Sequence, residues 1–419
     1  MMNKIIRIAI ILFLLLPACK TESKNPEKPK PENLFLTHLL QNSLKAYDMM
    51  RNDKGVYADA VKFDGNKVPC SVASVGMALV ALCIADASGL DTDAGQKALQ
   101  TLRTFSGKTE GFAPARNPVN GYFRHWIDMD NGERAWNSEY SSIDSGILIA
   151  GALFCKSYFS NMNEIARLAD SLYLSVNWSA AVANSATGEL WMVFDEQGNG
   201  NLPLKPFNEY MITAWLAKND RRDNNAATAL WDNYYDEPSA LPKIDYEGYQ
   251  LLTDGDHYLS NFVIQFPYYL CHPFTTSDAY VTYLNHAMQA DLKWWSLNSD
   301  QPEYVWGTGA GPALSGYNAD NFNFNPGKIS SPQIIAGFIP IRTTCLDDLQ
   351  RLWESDMGMY ELPGDTSRVL WRFSTLQPGW TADGTAGVDW STMVFGLAAH
   401  PDALGIGFFE THNDFQFPE

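Results

Sequence analysis

Apolar residues recur every three to four positions along most of this chain, which predicts a protein built mainly of α-helices. Strict alternation of apolar and polar residues is rare and is confined to residues 122–127, 189–195 and 368–373, which we interpret as short hairpins on loops. The predicted helices cover residues 35–51, 71–87, 92–106, 141–159, 162–177, 208–219, 224–235, 277–297, 331–339, 345–356 and 391–399, and a weaker pattern covers 257–271.

Two of these helices carry a predicted start signal. Ser141 stands three residues before Asp144, and Thr344 stands three residues before Asp347. This is the spacing of a capping box, although aspartate replaces the usual glutamate. We therefore expect both hydroxyl side chains to cap helices.

The number of helices and the alternation of short and long connections between them predict the architecture. Stacked helical hairpins that close into an all-α (α/α)6 toroid, with a few short β-hairpins on the rim loops, fit this pattern best. No repeat of fixed length is present, so a regular solenoid is not favoured. The long loops, residues 107–140, 178–207, 236–256, 299–330 and 358–390, hold most of the loop carboxylates and tryptophans and would form a cleft at one rim.

The N-terminal segment predicts export and lipid attachment. Lys4 and Arg7 precede the short apolar run 8–16, and Leu16-Pro17-Ala18-Cys19 resembles a bacterial lipobox. We predict a lipoprotein signal peptide at 1–18, a lipidated Cys19 at the start of a disordered tether, 19–33, and a single domain at 34–419. The expected location is the bacterial cell envelope, with the lipid in the outer membrane. An ordinary secretory signal is the alternative.

The net charge narrows the class of ligand, and the cysteines and motif spacings bear on whether a metal is bound. The formal net charge of −18 would repel nucleic acids and polyanionic substrates, but it is compatible with a neutral polysaccharide. The other cysteines lie mostly in apolar helical runs and are interpreted as buried thiols. CxxC and HExxH spacings are absent, so we expect neither a metal nor another cofactor, and a metal site at Asp254, Asp256 and His257 is not favoured.

The segment 122–151 is the strongest candidate for chemistry. It places Asp128, Glu139 and Asp144 among Trp126 and Trp136, directly before an apolar helix. Cleavage of a glycosidic bond needs one acid that protonates the leaving oxygen and one carboxylate that activates water or attacks. Tryptophan rings offer apolar faces to sugars. The alternatives are a helix-start charge for Glu139 and a capping role for Asp144.

Two further helix starts carry candidate carboxylates. Glu209, next to Tyr210, opens an otherwise apolar helix, where burial would raise its pKa as a general acid requires, unless it is only a helix-start charge. Asp389 is either a cap or a substrate ligand. Trp306 lies in a glycine-rich loop that we interpret as a binding rim. A Ser-His-Asp triad is not favoured, because the GxSxG element is absent.

Several segments in a fixed order resemble the bacterial glucoamylase-like family, which includes endo-β-1,2-glucanases of glycoside hydrolase family 144. The segments are residues 70–79, 136–145, 208–211, 264–266, 305–307 and 387–389. The resemblance implies an (α/α)6 toroid and inverting hydrolysis. It matches Glu139 and Asp144 to an acidic helix-start pair and Glu209 to a proposed acid, and it implies sugar contacts for Gln265, Phe266 and Trp306.

The sequence departs from this family at residues 265–269 and 309–312, in loops expected to contact sugar, so the linkage remains open. The predicted function is hydrolysis of a neutral glucan, most simply β-1,2-linked, by a monomer. Glu209 would act as acid, and Asp128, Glu139 or Asp144 as base. The alternative is a surface glycan-binding lipoprotein that shares the fold and has lost catalysis.

Overall fold

Helices form most of the part of the chain that the structure, a computed structural model, describes, which is residues 33–222 and 224–418. These residues belong to one compact unit, Asn33–Glu419, whereas Cys19 and residues 1–32 lie outside the described part. The helices are α1 Leu34–Met50, α2 Val72–Ala87, α3 Ala94–Phe105, α4 Ser142–Tyr158, α5 Asn163–Leu174, α6 Met211–Lys218, α7 Asn225–Leu230, α8 Phe262–Leu270, α9 His272–Thr276, α10 Asp278–Asn298, α11 Pro332–Gly337, α12 Cys345–Glu354, α13 Gly387–Ala398 and α14 Ile406–His412.

The strands are short and pair only in antiparallel fashion within the described part. They are β1 Ala60–Lys62, β2 Cys70–Ser71, β3 Trp126–Ile127, β4 Tyr140–Ser141, β5 Val182–Asn184, β6 Glu189–Phe194, β7 Gly200–Leu204, β8 Lys243–Tyr246, β9 Tyr249–Leu252, β10 Ala310–Ala313, β11 Gly316–Ala319, β12 Ile329–Ser330, β13 Met359–Glu361, β14 Arg368–Leu370, β15 Phe373–Ser374 and β16 Gly384–Ala386. Besides local hairpins such as β10–β11, long-range pairs β1–β16, β2–β3 and β12–β15 tie distant loops together.

The most apolar helices contact one another in sequence order. Helix α2 packs on α4, α4 on α6, and α6 on α8, while α11 packs on α13 and α13 on α2. Hydrogen bonds from α8 reach α11, because the Gln265 side chain donates to the Ile334 carbonyl and the Tyr269 hydroxyl donates to the Gly337 carbonyl. Amphipathic helices α3, α5 and α12 pack against α2, α4 and α11 respectively, so that they cover the apolar helices.

Glycines allow the closest helix contacts. A Cβ atom on Gly151 of α4 would lie 2.1 Å from the carbonyl oxygen of Gly76 on α2. A Cβ atom on Gly396 of α13 would lie 1.9 Å from the Ala336 carbonyl oxygen on α11. Real Cβ contacts are never this short, so these backbones pack directly against each other.

Helix starts partly follow the predicted capping signals. Ser141 caps α4, and its hydroxyl accepts a hydrogen bond from the Asp144 amide at 3.2 Å. The prediction for Thr344 is wrong, because its side chain makes no capping bond and its hydroxyl accepts from the Arg342 guanidinium instead. Helix α13 begins at Gly387 rather than at 391, and the short helices α9 and α14 carry no periodic pattern long enough to predict them.

The cysteines of the described part confirm the prediction of buried thiols, since Cys70, Cys83, Cys155, Cys271 and Cys345 are all buried and unpaired by disulfides. Across residues 33–222 and 224–418, none of the helices is both long and apolar enough to cross a membrane.

Candidate active site

One cavity of about 710 Å³ lies where several of the apolar helices begin. Helices α2, α4, α6, α8 and α13 each present residues from their first turn, or from just before it, to this space. A helix N-terminus carries partial positive charge, so carboxylates placed there are stabilised. The residues contributed in this way are Ala73, Ser141, Ile143, Asp144, Glu209, Tyr210, Phe262, Phe266, Val388 and Asp389.

Glu209 lines this cavity two residues before α6 begins, and its side chain is half-buried. Burial, helped by the negative charges of Asp144 and Asp389, raises its pKa to about 8, and His125 opposes the rise. The Glu209 carboxyl group makes no hydrogen bond to another described residue, so it is available to a bound molecule. Glu209 therefore carries a proton at neutral pH and can donate it.

His125 stands between two carboxylates. Its Nδ1 lies 3.0 Å from Glu139 Oε1, and its Nε2 lies 3.6 Å from Asp144 Oδ1. Burial lowers the pKa of His125, but the charges of Asp144 and Glu139 outweigh burial and raise it to about 9. The imidazole ring also stacks on Trp126, with ring centroids 3.5 Å apart. At neutral pH the ring is a cation that contacts both acids.

The two acids beside His125 differ in their surroundings. The hydrogen bond with His125 lowers the pKa of Glu139, so Glu139 is ionised at neutral pH. Asp144 accepts a hydrogen bond from the Ser141 hydroxyl while its other oxygen faces His125. Asp144 therefore takes part in the cap of α4 and also lines the cavity. This position is compatible with both roles considered from the sequence, capping and catalysis.

Asp389 and Tyr317 form another polar contact in the cavity. The Tyr317 hydroxyl donates to both Asp389 carboxylate oxygens, at 3.2 and 3.0 Å. Burial raises the pKa of Asp389 to about 7, although Arg372 and the Tyr317 bond oppose the rise. Tyr317 projects from the β10–β11 hairpin with 61% of its surface exposed, so its ring forms part of the cavity opening.

Arg372 anchors the β10–β11 hairpin through hydrogen bonds to its backbone and to the residue before it. Its Nε donates to the Pro312 carbonyl at 3.0 Å, and its other nitrogens bond the Gly309 carbonyl and Asp320. The side chains of Arg372 and Asp320 are both fully buried. The hairpin that carries Tyr317 is thus anchored by a buried ion pair.

Most of the predicted site residues meet in this cavity. Trp136 does not line it but lies at its edge, 58% exposed, with its ring centroid 5.3 Å from that of Trp126. The predicted residues that line the cavity are Trp126, Glu139, Asp144, Glu209, Tyr210, Phe266 and Asp389.

Asp128, Gln265 and Trp306 lie away from the cavity, which corrects their predicted roles. Asp128 Oδ1 accepts the amides of Asp130 and Asn131 in a tight turn. Gln265 is fully buried between α8 and α11. Trp306 is also fully buried, and its indole nitrogen donates to Asp348 at 3.0 Å. The glycine-rich loop still reaches the site, through its later residues Pro312 and Ala313.

Sequence reasoning missed Asp59, His125 as a partner of the acids, and Tyr317, all of which line the cavity. Burial raises the pKa of Asp59 to about 6, with His125 opposing. His125 could have been found, because it directly precedes Trp126 in the segment rich in acids and aromatics. Asp59 carries no local signal, because pairing of β1 with β16 brings it to the site.

The metal site considered at Asp254, Asp256 and His257 is a local turn. Asp254 Oδ1 accepts the amides of Asp256 and His257, and its other oxygen lies 2.9 Å from His257 Nδ1. Over the described residues, no group of three or more His, Cys, Asp or Glu side chains is arranged to hold a metal ion.

Comparison with known proteins identifies relatives through structure only. No family model matches the sequence, and a search of curated proteins finds no match. A protein from Bacteroides uniformis, provisionally described as a glucoamylase, shares 15% identity at a TM-score of 0.74, over 94% of this chain and 99% of that one. An endo-β-1,2-glucanase from Chitinophaga pinensis, solved with sophorotriose and glucose, shares 16% identity at a TM-score of 0.73, over 92% of this chain and 99% of that one.

A β-1,2-glucanase from Parabacteroides distasonis shares 15% identity at a TM-score of 0.72, over 91% of this chain and 60% of that one. The predicted resemblance to glucoamylase-like proteins is therefore confirmed at the level of the fold. Such low identities establish the fold alone, and function has to be argued from the site.

Proposed function

We propose that this protein is a glycoside hydrolase that cleaves a neutral glucan, with β-1,2-glucan as the first candidate, by inverting acid and base catalysis. The single observation that carries this proposal is the presence of a protonated Glu209 and an ionised Glu139 in the lining of one cavity. Burial and neighbouring charges raise the pKa of Glu209 to about 8, while His125 lowers that of Glu139. Two carboxyl groups in opposite protonation states are what glycosidic cleavage needs.

Each carboxyl group then has a role. Glu209 donates its proton to the leaving glycosidic oxygen, and Glu139 or Asp144 accepts a proton from the attacking water. The C–O bond breaks as the water oxygen bonds the anomeric carbon from the opposite face, so the configuration inverts. His125 holds both candidate bases and keeps Glu139 ionised. Asp128 is no longer proposed as a base, because it lies in a turn away from the cavity.

The chemistry of the cavity supports a neutral sugar. Carboxylates face the space from several helices, so an anionic chain would be repelled. Trp126, Phe262, Phe266 and Trp380 supply aromatic faces for the apolar sides of sugar rings. Of the three structural neighbours described above, two are named as β-1,2-glucanases, and one of these was solved with sophorotriose and glucose, which supports this linkage as the first to test.

We also propose the (α/α)6 toroid as the full description of the fold. Helices α2, α4, α6, α8, α11 and α13 would form the inner ring, because each contacts the next and α13 returns to α2. The cavity would then open at the end where these inner helices begin. The similarity to glucoamylase-like structures supports this arrangement.

Attachment to the cell envelope remains a proposal that rests on the lipobox-like segment before Cys19. Lipidation there would place the hydrolase on the envelope, where it meets external glucan. Metabolic labelling with a fatty-acid analogue should mark the full chain and not its Cys19→Ser variant. Equal labelling of both proteins would refute the proposal.

The function is tested by product release from a panel of neutral glucans, led by linear β-1,2-glucan. The unaltered protein, Glu209→Gln and Glu133→Gln are compared, since Glu133 is an exposed glutamate outside the cavity. We expect release of short oligosaccharides by the unaltered protein and Glu133→Gln, and a loss of about 100-fold or more in Glu209→Gln. Binding of a glucan without release by any of the three would replace hydrolysis with a glycan-binding function.

A further inference from the structure

One buried carboxylate joins two segments that line the cavity, although it does not line the cavity itself. Asp291 lies on α10, and its side chain is fully buried. Its Oδ2 accepts hydrogen bonds from the Asn261 side-chain amide and from the Thr308 backbone amide, both at 2.8 Å. Its Oδ1 accepts a hydrogen bond from the Thr308 hydroxyl at 2.6 Å. Asp291 can therefore influence a bound sugar only through these partners.

Each partner of Asp291 stands at the base of a segment that reaches the cavity. Asn261 directly precedes α8, whose residue Phe262 lines the cavity. Thr308 lies two residues before the β10–β11 hairpin, which carries Tyr317 at the cavity opening. The Thr308 carbonyl also accepts a hydrogen bond from the Asn261 backbone amide at 3.4 Å. The contacts of one carboxylate thus fix the start of α8 relative to the hairpin.

The charge of Asp291 is costly at this position. The groups that donate to it are neutral, and a buried carboxylate without a cation is less favourable than an apolar residue. Burial raises the pKa of Asp291 to about 7, and the hydrogen bonds from Thr308 and Asn261 oppose the rise. The Thr308 hydroxyl also accepts a hydrogen bond from the Trp295 indole at 3.1 Å, so its orientation is fixed. A network of this kind specifies geometry more than it adds stability.

We propose that Asp291 is a positioning residue for sugar binding, which holds α8 and the β10–β11 hairpin so that Phe262 and Tyr317 contact the glucan together. This inference rests on the proposed function and adds a residue that acts from outside the cavity. Contacts that are already in place lower the cost of ordering the site when a ligand binds. Because Glu209 stands on a different segment, before α6, loss of Asp291 should weaken sugar binding more than bond cleavage.

Substitutions at both ends of this contact test the proposal. Asp291→Asn places an amide group where hydrogen-bond donors converge, and Thr308→Val removes the hydroxyl bond. Thr308→Ser keeps both bonds and is the conservative control. Asp220→Asn is the matched control for loss of a buried carboxylate, because Asp220 is buried, bonds Arg222 and does not line the cavity. Urea unfolding checks that each variant is folded, and Thr308→Val keeps the test valid if Asp291→Asn does not fold.

The measured quantities are KM and kcat on the neutral glucan that the unaltered protein cleaves fastest. We expect Asp291→Asn to raise KM about tenfold and Thr308→Val about threefold, with kcat within about twofold, because a uniform loss of binding acts on KM. Thr308→Ser and Asp220→Asn should leave KM unchanged, even where Asp220→Asn lowers the stability.

A merely structural role of Asp291 would reduce the folded fraction, so apparent kcat would fall while KM stayed constant. That result, or an unchanged KM and kcat in the folded variants, overturns this inference and leaves the proposed function standing. If the unaltered protein binds a glucan without cleaving it, the dissociation constant replaces KM and the same ratios are expected. A protein that neither cleaves nor binds a neutral glucan overturns both the inference and the proposed function.

Discussion

Replacing Glu209 with glutamine should make the protein more stable than the unaltered protein, and this difference should grow as pH rises. The replacement should also abolish most of the activity. Burial is the main cause that raises the pKa of this carboxyl group from 4.5 to about 8. In the unfolded chain the group ionises near pH 4.5, but in the folded protein it keeps its proton until about pH 8. Over that interval the folded protein binds more protons than the unfolded chain, so the free energy of unfolding falls as pH rises.

The size of the effect follows from the gap between the two pKa values. At about 1.4 kcal/mol for each tenfold change, the gap corresponds to at most about 5 kcal/mol. Asp389 releases its proton in the same interval, because burial raises its pKa to about 7, and its charge acts on Glu209. Since the two groups titrate together, we expect about half of the limit, roughly 2 kcal/mol, to be recovered in Glu209→Gln at pH 8.

The assay is urea unfolding of the unaltered protein, Glu209→Gln and Glu133→Gln at pH 5, 7 and 8 and at two values above pH 8. The difference between Glu209→Gln and the unaltered protein should be small at pH 5, grow through neutral pH and level off above pH 8. Glu133→Gln should show no such trend, because Glu133 is exposed. In the same series kcat/KM of the unaltered protein should fall above about pH 8 as Glu209 loses its proton. A stability difference that does not change with pH would refute the reasoning.

Other substitutions test the surroundings of the site and the helix contacts. His125→Asn removes the cation between the acids, so the acidic limb of the pH profile of kcat/KM should move to higher pH; a limb that stays in place would contradict the role of this ring. Arg372→Met leaves Asp320 buried without its partner and should cost about 3–5 kcal/mol in urea unfolding, whereas a loss below about 1 kcal/mol would show that the pair is solvated. Gly151→Ala should lose about 1–3 kcal/mol, because the added Cβ would meet a backbone carbonyl at 2.1 Å. Gly407→Ala in α14 is the control, since an added Cβ there meets nothing within 4 Å. Equal changes in the melting temperature of both alanine variants would show that the helices α2 and α4 can move apart at no cost.

The helical part of the fold could be predicted because burial leaves its mark in local periodicity. Helices such as α3, α5 and α12 bury apolar residues on one face only, and the sequence shows that spacing. Helices α9 and α14 span only five and seven residues, which is too short for a period to be visible. The long-range pairs β1–β16 and β2–β3 depend on residues far apart in sequence and leave no local trace.

Site residues could be predicted where a carboxylate stands at the start of an apolar helix. They were missed where pairing between distant segments of the chain brings a residue to the cavity. Glu209 stands at the start of an apolar helix, so position and residue type both indicated an acid with a raised pKa, and Asp389 in the first turn of α13 was considered as a cap or a substrate ligand. Asp59 precedes a short strand, and its carbonyl oxygen accepts a hydrogen bond of 2.6 Å from the amide of Gly387. Gly387 lies more than three hundred residues further along the chain. Gln265 and Trp306 were misplaced because neither a resemblance to a family nor proximity to a glycine-rich loop tells which way a side chain points.

The proposed chemistry depends on how the acids of the cavity share protons. Several carboxyl groups face one space while the nearby cations His125 and Arg372 each act on different members of the group. His125 is bonded to Glu139, so Glu139 is favoured as an anion. Burial, together with the charges of Asp144 and Asp389, favours the proton on Glu209, whose pKa of about 8 is the highest among the cavity carboxyl groups with raised values. The separation into acid and base thus arises mainly from the burial of Glu209, while the placement of His125 beside Glu139 keeps that acid ionised.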